Sequence, residues 1–229
     1  MIKNRESFLD HVANQLGRPR QTEGVLRPNY RVSPQFEVLK DASKDELVTV
    51  LKEQCVAIHT DFKRVESGQL ERALDETIDM YGAKSVIAWD DRRFHEFGLG
   101  SFLTRPSVSL WNNRDSKRSI EQAEKADVGI TFSDITLAES GTVTLFSSNG
   151  KGRSVSLLPR YYIAIIPKST LVARMTQAAR HIRQLTGEGR LPSCINFISG
   201  PSNSADIEMS LVVGVHGPLR ACYIVVDDK

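Results

Sequence analysis

From Ser43 onward the chain alternates between stretches with helical spacing of apolar residues and short runs of β-branched and aromatic ones. Lys44–Gln54 reads as an amphipathic helix, Cys55–Ile58 as a strand, and Ser67–Tyr81 as a second helix with Ser67 as its cap and Gly82 as its stop. Lys84–Trp89 and Val108–Trp111 follow as strands, then Ser116–Lys125 as a helix and Ala126–Phe132 as a strand. Val143–Ser147 and the strongly apolar Tyr161–Ile166 are further strands. Thr170–Leu185 reads as a helix capped by Ser169 and ended by Gly187, and Arg220–Val226 as a terminal strand. Neighbouring parallel strands need a crossover, and helices fill crossovers. The alternation therefore predicts an α/β fold: a mainly parallel sheet with helices on both faces, in three layers. In open sheets of this kind, ligands sit at the carboxyl ends of the strands.

A chain of 229 residues can bury one large core, and residues 41–229 are read as that single domain. Ahead of it, residues 4–17 place Phe8, Leu9, Val12 and Leu16 on one helical face, with Asn4 as cap and Gly17 as stop. Residues 18–40 carry Pro19, Pro28 and Pro34 with little periodicity, so residues 1–40 read as a helix and a linker arm. That helix docks on its own domain, on a second copy, or on a partner. A net charge of +2 gives no general pull toward nucleic acid. Arg174, Arg180 and Arg183 have no interleaved aromatics and read as a wetted helix face. No apolar run approaches the roughly 20 residues that span a bilayer. The N-terminus has charges where a signal peptide needs its apolar region, which predicts a cytoplasmic protein. Cys55, Cys194 and Cys222 lie far apart in β-like runs and read as small buried hydrophobes.

Chemistry-bearing residues concentrate in three turns. Ala138-Glu139-Ser140-Gly141-Thr142 sits between predicted strands and would aim the Glu139 carboxylate at a strand-end cleft; alternatively Glu139 bonds turn amides or a nearby arginine. Ser147–Arg153 contains Asn-Gly, a strong hairpin signal. Its Lys151 and Arg153 would hold a carboxylate or phosphate, or form a solvated basic turn. It is neither a Walker loop nor a dinucleotide fingerprint. The third region, Cys194–Pro218, begins as a buried strand, turns at Ser199-Gly200-Pro201-Ser202, and reads next as a short helix from Asn203 or Ser204 through Asp206 and Glu208. It closes at Gly214-Val215-His216-Gly217-Pro218. Of the histidines, His216 alone has a local context suggesting proton exchange, against a structural role bonding loop carbonyls. On a helix Asp206 and Glu208 would diverge, so they read as no shared metal site. The polar run Asp90–Glu96 reads as a solvated face.

The segment Ser199–Pro218, together with Ala138–Thr142, Ser156-Leu157-Leu158-Pro159 and the early Asn4–Arg18 helix, resembles the LUD-domain family in its lactate-utilization branch. That resemblance implies a NagB/RpiA/CoA-transferase-like fold. It also implies a component of bacterial L-lactate oxidation to pyruvate that works with iron–sulfur partner proteins. Because the chain itself shows no flavin, nicotinamide or cluster motif, iron–sulfur clusters are expected in partner subunits. Under that reading, Glu139 and His216 are the proton-transfer candidates, with Arg153 as a carboxylate anchor. Ser140, Gly141, Thr142, Lys151, Arg153, Ser199, Gly200, Ser202, Asp206, Glu208 and Gly217 would contact a small carboxylate or other anion. Two alternatives stand beside it: an independent enzyme like a CoA-transferase or sugar-phosphate isomerase, and a non-catalytic assembly subunit. Glu139 and His216 are expected to face each other across one hollow.

Overall fold

A computed structural model describes residues 3–24, 26, 29–207 and 210–228, with residues 206 and 207 described by their backbone alone. It divides into two compact units, Met1–Pro34 and Gln35–Lys229.

In the first unit, helix α1 (Arg5–Gln15) buries Ala13, while Phe8 and Leu16 remain 65% and 61% exposed. Arg20 folds back onto Glu6 and Asp10, satisfying the acidic side of the helix. Gly17 ends the helix at φ 64°, a conformation that glycine adopts without strain. Asn4 has φ 60° and its side chain makes no cap bond, so the start is not capped as expected.

The one-turn helix α2 (Pro34–Glu37) begins at the last residue of the first unit, and the second unit continues with α3 (Lys44–Ala57). Ser43 and Glu46 form a reciprocal capping box at the start of α3. Strand β1 (Thr60–Glu66) follows, then α4 (Leu70–Met80), β2 (Val86–Ala88), the one-turn helices α5 (Arg93–Glu96) and α6 (Gly100–Leu103), β3 (Val108–Leu110), α7 (Ser116–Lys125) and β4 (Val128–Phe132). The hairpin β5 (Ile135–Leu137) and β6 (Thr142–Phe146) comes next, with α8 (Ser154–Leu157), β7 (Tyr161–Pro167), β8 (Leu171–Val172) and α9 (Met175–Gly187). The chain finishes with β9 (Ile195–Ser199), β10 (Asn203–Ile207), β11 (Ser210–Val213) and β12 (Arg220–Asp227).

Six strands among the described residues form one wholly parallel sheet in the order β1-β12-β7-β4-β2-β3. Its middle strands are buried on both faces, which is why Tyr161–Pro167 reads as a continuous apolar run and Val128–Phe132 has Thr131 as its one polar side chain. On one face Phe132 meets Phe94 of α5 edge-on, and Tyr161 meets Tyr81 beside α4. The other face carries Gly129, Thr131, Tyr162 and Tyr223. A Cβ on Gly129 would fall 1.8 Å from the Val155 carbonyl oxygen, so glycine there is what lets α8 lie against the sheet. The Tyr223 hydroxyl accepts from the Gly200 amide and donates to the Ile198 carbonyl, pinning a second sheet, β8-β5-β6-β9, over this face. Outside that sheet α9 packs Ala178 against Ile135 and Leu137.

Four expected elements differ. Ser67 does not cap α4: Ser67–Gln69 forms a 3-10 turn, the helix starts at Leu70, and the Ser67 hydroxyl donates to the Asp227 carbonyl. Cys55–Ile58 is no strand: α3 runs to Ala57, burying Leu47, Val48, Leu51 and Cys55 along one face while Val56 is 77% exposed. The helical stripe outweighs the β propensity of four residues, and the strand begins at Thr60 after His59 turns at φ 54°. The segment from Asn203 is β10, paired with β11 rather than helical. A helix of five or six residues closes too few internal bonds to hold itself, whereas the ladder offers partners at once. The helical geometry that separated Asp206 from Glu208 is therefore not formed at Asp206; Glu208 lies outside the described residues. Finally, α9 starts at Met175, because Lys168–Thr170 forms a 3-10 turn and Leu171–Val172 pairs with β5. Ser169 does not cap the helix; its hydroxyl bonds Asp228.

Candidate functional site

The order of the parallel sheet locates a crevice. From β2 the chain crosses to β3 on one side, and from β4 it moves to β7 on the other. Adjacent strands whose connections leave in opposite directions open a gap beyond their carboxyl ends. The residues that emerge there are Asp90 and Asp91 after β2 and Ser133 and Asp134 after β4.

Four charged side chains close over this gap. Arg93 holds Asp91 with its Nε and one terminal nitrogen, at 2.6–3.1 Å, and reaches Asp134 at 3.0 Å. Lys151 sits 3.1 Å from both carboxylates. The Arg93 guanidinium also donates to the Ser133 carbonyl at 3.1 Å and lies over the Phe132 ring. The Phe146 amide donates to the second oxygen of Asp134 at 2.7 Å. Burial by itself would push the Asp91 carboxyl up. The hydrogen bonds and charge of Arg93, aided by Lys151, outweigh burial and hold it down at about 2. The quartet carries no net charge. It ties together three loops that leave different strands.

The loop that delivers Lys151 is built by two close approaches. A Cβ on Gly150 would lie 2.1 Å from the Asp90 carbonyl oxygen, and one on Gly152 would lie 2.1 Å from the Trp111 ring. Only glycine lets this loop press onto the ends of β2 and β3. The Asp90 amide donates to the Gly150 carbonyl and the Trp89 indole to that of Gly152, each fixing the approach. The expected Asn-Gly turn is present, with Ser148 bridged to Lys151.

Three cavities run along this crevice. One of about 650 Å³ is bounded by Trp111, Asn112, Asn149 and Gly150. One of about 570 Å³ lies over Asp91, Arg93 and Asp134. The third, about 340 Å³, extends to Ser147, Ser148, His181 and Arg190. Asp90 lines the first two, and Lys151 and Arg190 line the second and third.

The expected site residues fall into two groups at opposite ends of β6. At the Thr142 end, Ser140, Thr142 and Ser199 link hydroxyl to hydroxyl at 2.7 Å each. Gly141 and Gly200 both turn at positive φ with Ile58 against them. Glu139 pairs with Arg174 at 2.5 Å, the arrangement in which a nearby arginine takes the carboxylate. Ser202 and Gly217 adjoin, since the Ser202 amide donates to Pro218 and its carbonyl accepts from Gly214. His216 lies exposed in the same loop. Lys151 belongs to the Phe146 end, about 13 Å away at strand spacing, and Arg153 is exposed at the start of α8. The Asp206 side chain and all of Glu208 are outside the described residues.

The Asp90–Glu96 run is a solvated face only in part: Asp90, Arg92 and His95 are exposed. The Asp91 side chain is 4% exposed and Phe94 is fully buried, so one turn of helix sends an acid and a ring inward. Sequence reading also passed over Asp134, His181 and Arg190. The signal present was position: Asp91 and Asp134 each follow a buried strand within three residues.

The LUD domain family model matches residues 48–226. The chain is 97% identical over 229 residues to lactate utilization protein C of Shouchella clausii (strain KSM-K16), covering 100% of each. It is 64% identical over 231 residues to the protein of that name in Halalkalibacterium halodurans, again over 100% of each chain. With the Bacillus subtilis (strain 168) protein of the same name the identity is 54%, over 100% of this chain and 98% of the other. Among solved structures, a DUF162 family protein from Deinococcus radiodurans shares the fold at a TM-score of 0.59 and 20% identity, covering 80% of this chain and 98% of that one.

Proposed function

The chain belongs to the LUD-domain family, and on that premise we propose that it is a component of a bacterial L-lactate utilization system, taking part with iron–sulfur partner proteins in the oxidation of L-lactate to pyruvate. The observation that carries this reading is the end-to-end identity, up to 97%, with proteins named for lactate utilization. Oxidising the hydroxyl carbon of lactate releases an electron pair and two protons. The reading sends the electrons to clusters in partner proteins and leaves this chain to hold substrate or to assemble the acceptor around it. The crevice beyond β2 and β4 supports a substrate-holding part, because that is where open parallel sheets take small polar ligands.

The test is genetic. Removing the gene should abolish growth on L-lactate as sole carbon source and spare growth on pyruvate, and a plasmid copy should restore it. Unimpaired growth on L-lactate overturns the reading. Affinity capture of the full chain from lactate-grown cells should bring down iron–sulfur proteins; their absence would sink the partner assignment while leaving the pathway intact.

A further inference from the structure

The cavity at the Phe146 end of the crevice has a composition that the proposed function does not by itself require. One wall is apolar: Phe146, Leu185 on α9, and Pro192. The His181 imidazole is exposed, lines the cavity, and lies parallel to the Phe146 ring at 6.4 Å and 10°. At the rim stands Arg190, whose side chain is 73% exposed and whose guanidinium pairs at 3.1 Å with the exposed Glu188. An exposed pair of that kind is worth little, so the guanidinium can exchange Glu188 for a ligand carboxylate. Lys151 closes the inner side of the cavity with its charge already shared between Asp91 and Asp134, and the Asp134 charge is met by Arg93 and Lys151.

We propose that this cavity is a binding site for a small 2-hydroxy acid, its carboxylate on Arg190, its hydroxyl on His181 and its short alkyl group against Phe146, Leu185 and Pro192. A volume of about 340 Å³ suits a ligand of this size with room for water. A simple anion such as phosphate would use the guanidinium but gain nothing from the apolar wall, and an apolar ligand would leave both polar groups unmet. The inference rests on the lactate reading, and it places the acid under α9 rather than at the Glu139–Arg174 pair.

The experiment is calorimetric titration of the purified full-length protein with L-lactate, propionate, acetate and inorganic phosphate. L-lactate should bind tighter than propionate, which lacks the hydroxyl, and both tighter than acetate or phosphate. Arg190→Ala should weaken L-lactate and propionate alike, by about tenfold or more. His181→Phe keeps the ring stack and removes the polar nitrogens. It should bring L-lactate down to the affinity of propionate and leave propionate unchanged. Both positions are exposed, so the folded spectrum should survive each change. L-lactate affinity unaffected by both variants, equal affinity for phosphate, or no L-lactate binding at all overturns the inference. A strain lacking the gene that still fails to grow on L-lactate would then leave the broader function standing without it.

Discussion

Replacing Asp91 by Asn tests whether the quartet at the strand ends holds the second unit together. Against the upward push of burial, Arg93 and Lys151 hold the Asp91 carboxyl down from 3.8 to about 2. At about 1.4 kcal/mol per unit, the charged form contributes about 2 kcal/mol to folding. Removing one partner of a fully buried ion pair costs about 3–5 kcal/mol. Here Arg93 and Lys151 are 17% and 18% exposed and keep Asp134, so the lower figure of about 2 kcal/mol is expected at pH 7. For a chain of this length that lowers the melting temperature by about 4–8 °C. The pH dependence follows from the sign of the shift. A carboxyl whose folded value lies below its unfolded value binds its proton preferentially in the unfolded chain. Its contribution is therefore complete above about pH 4 and is lost as the pH falls through about 2. Asp127 and Asp227 are also held low by hydrogen bonds, but they are common to both proteins and cancel in the difference. Urea unfolding of the two proteins from pH 7 to pH 2 should show a midpoint gap that narrows only below pH 4, with equal slopes. A gap absent at pH 7, or one that persists undiminished to pH 2, refutes the argument.

Gly150→Ala or Gly152→Ala should cost about 1–3 kcal/mol by urea unfolding, because the added Cβ meets Asp90 or the Trp111 ring at 2.1 Å. Gly187→Ala at the end of α9, with nothing within 4 Å, should instead stabilise by about 0.5–1 kcal/mol. Burial pushes the Cys55 and Cys222 thiols up to about 12, so an aromatic disulfide reagent should modify only Cys194 in the native protein and reach the other two on unfolding. Glu139→Gln should cost under about 1 kcal/mol by the same unfolding assay, since the Glu139 side chain is 40% exposed in its pair with Arg174. A strain carrying it that loses growth on L-lactate would be reporting function and not folding.

The local chemistry of the residues was enough to place most elements. Buried parallel strands such as Tyr161–Pro167 are apolar at every position, and α7 and the Gly82 stop follow from spacing and caps, so the parallel α/β architecture was legible. The turns around Glu139, Lys151 and His216 were legible for the same reason: glycine, proline and polar residues mark chain reversals wherever they occur. Elements whose stability comes from a distant partner were not legible. Residues 203–207 are a strand only because residues 210–213 pair with them, and Leu171–Val172 only because β5 lies alongside. The site follows the same rule. Asp91, Asp134 and Lys151 are brought together by the order in which the strands are laid down, and His181 meets Phe146 because α9 crosses the second sheet. Periodicity reports how one segment meets its surroundings; which segments share a crevice is decided by sheet order and long-range packing, which no local pattern encodes.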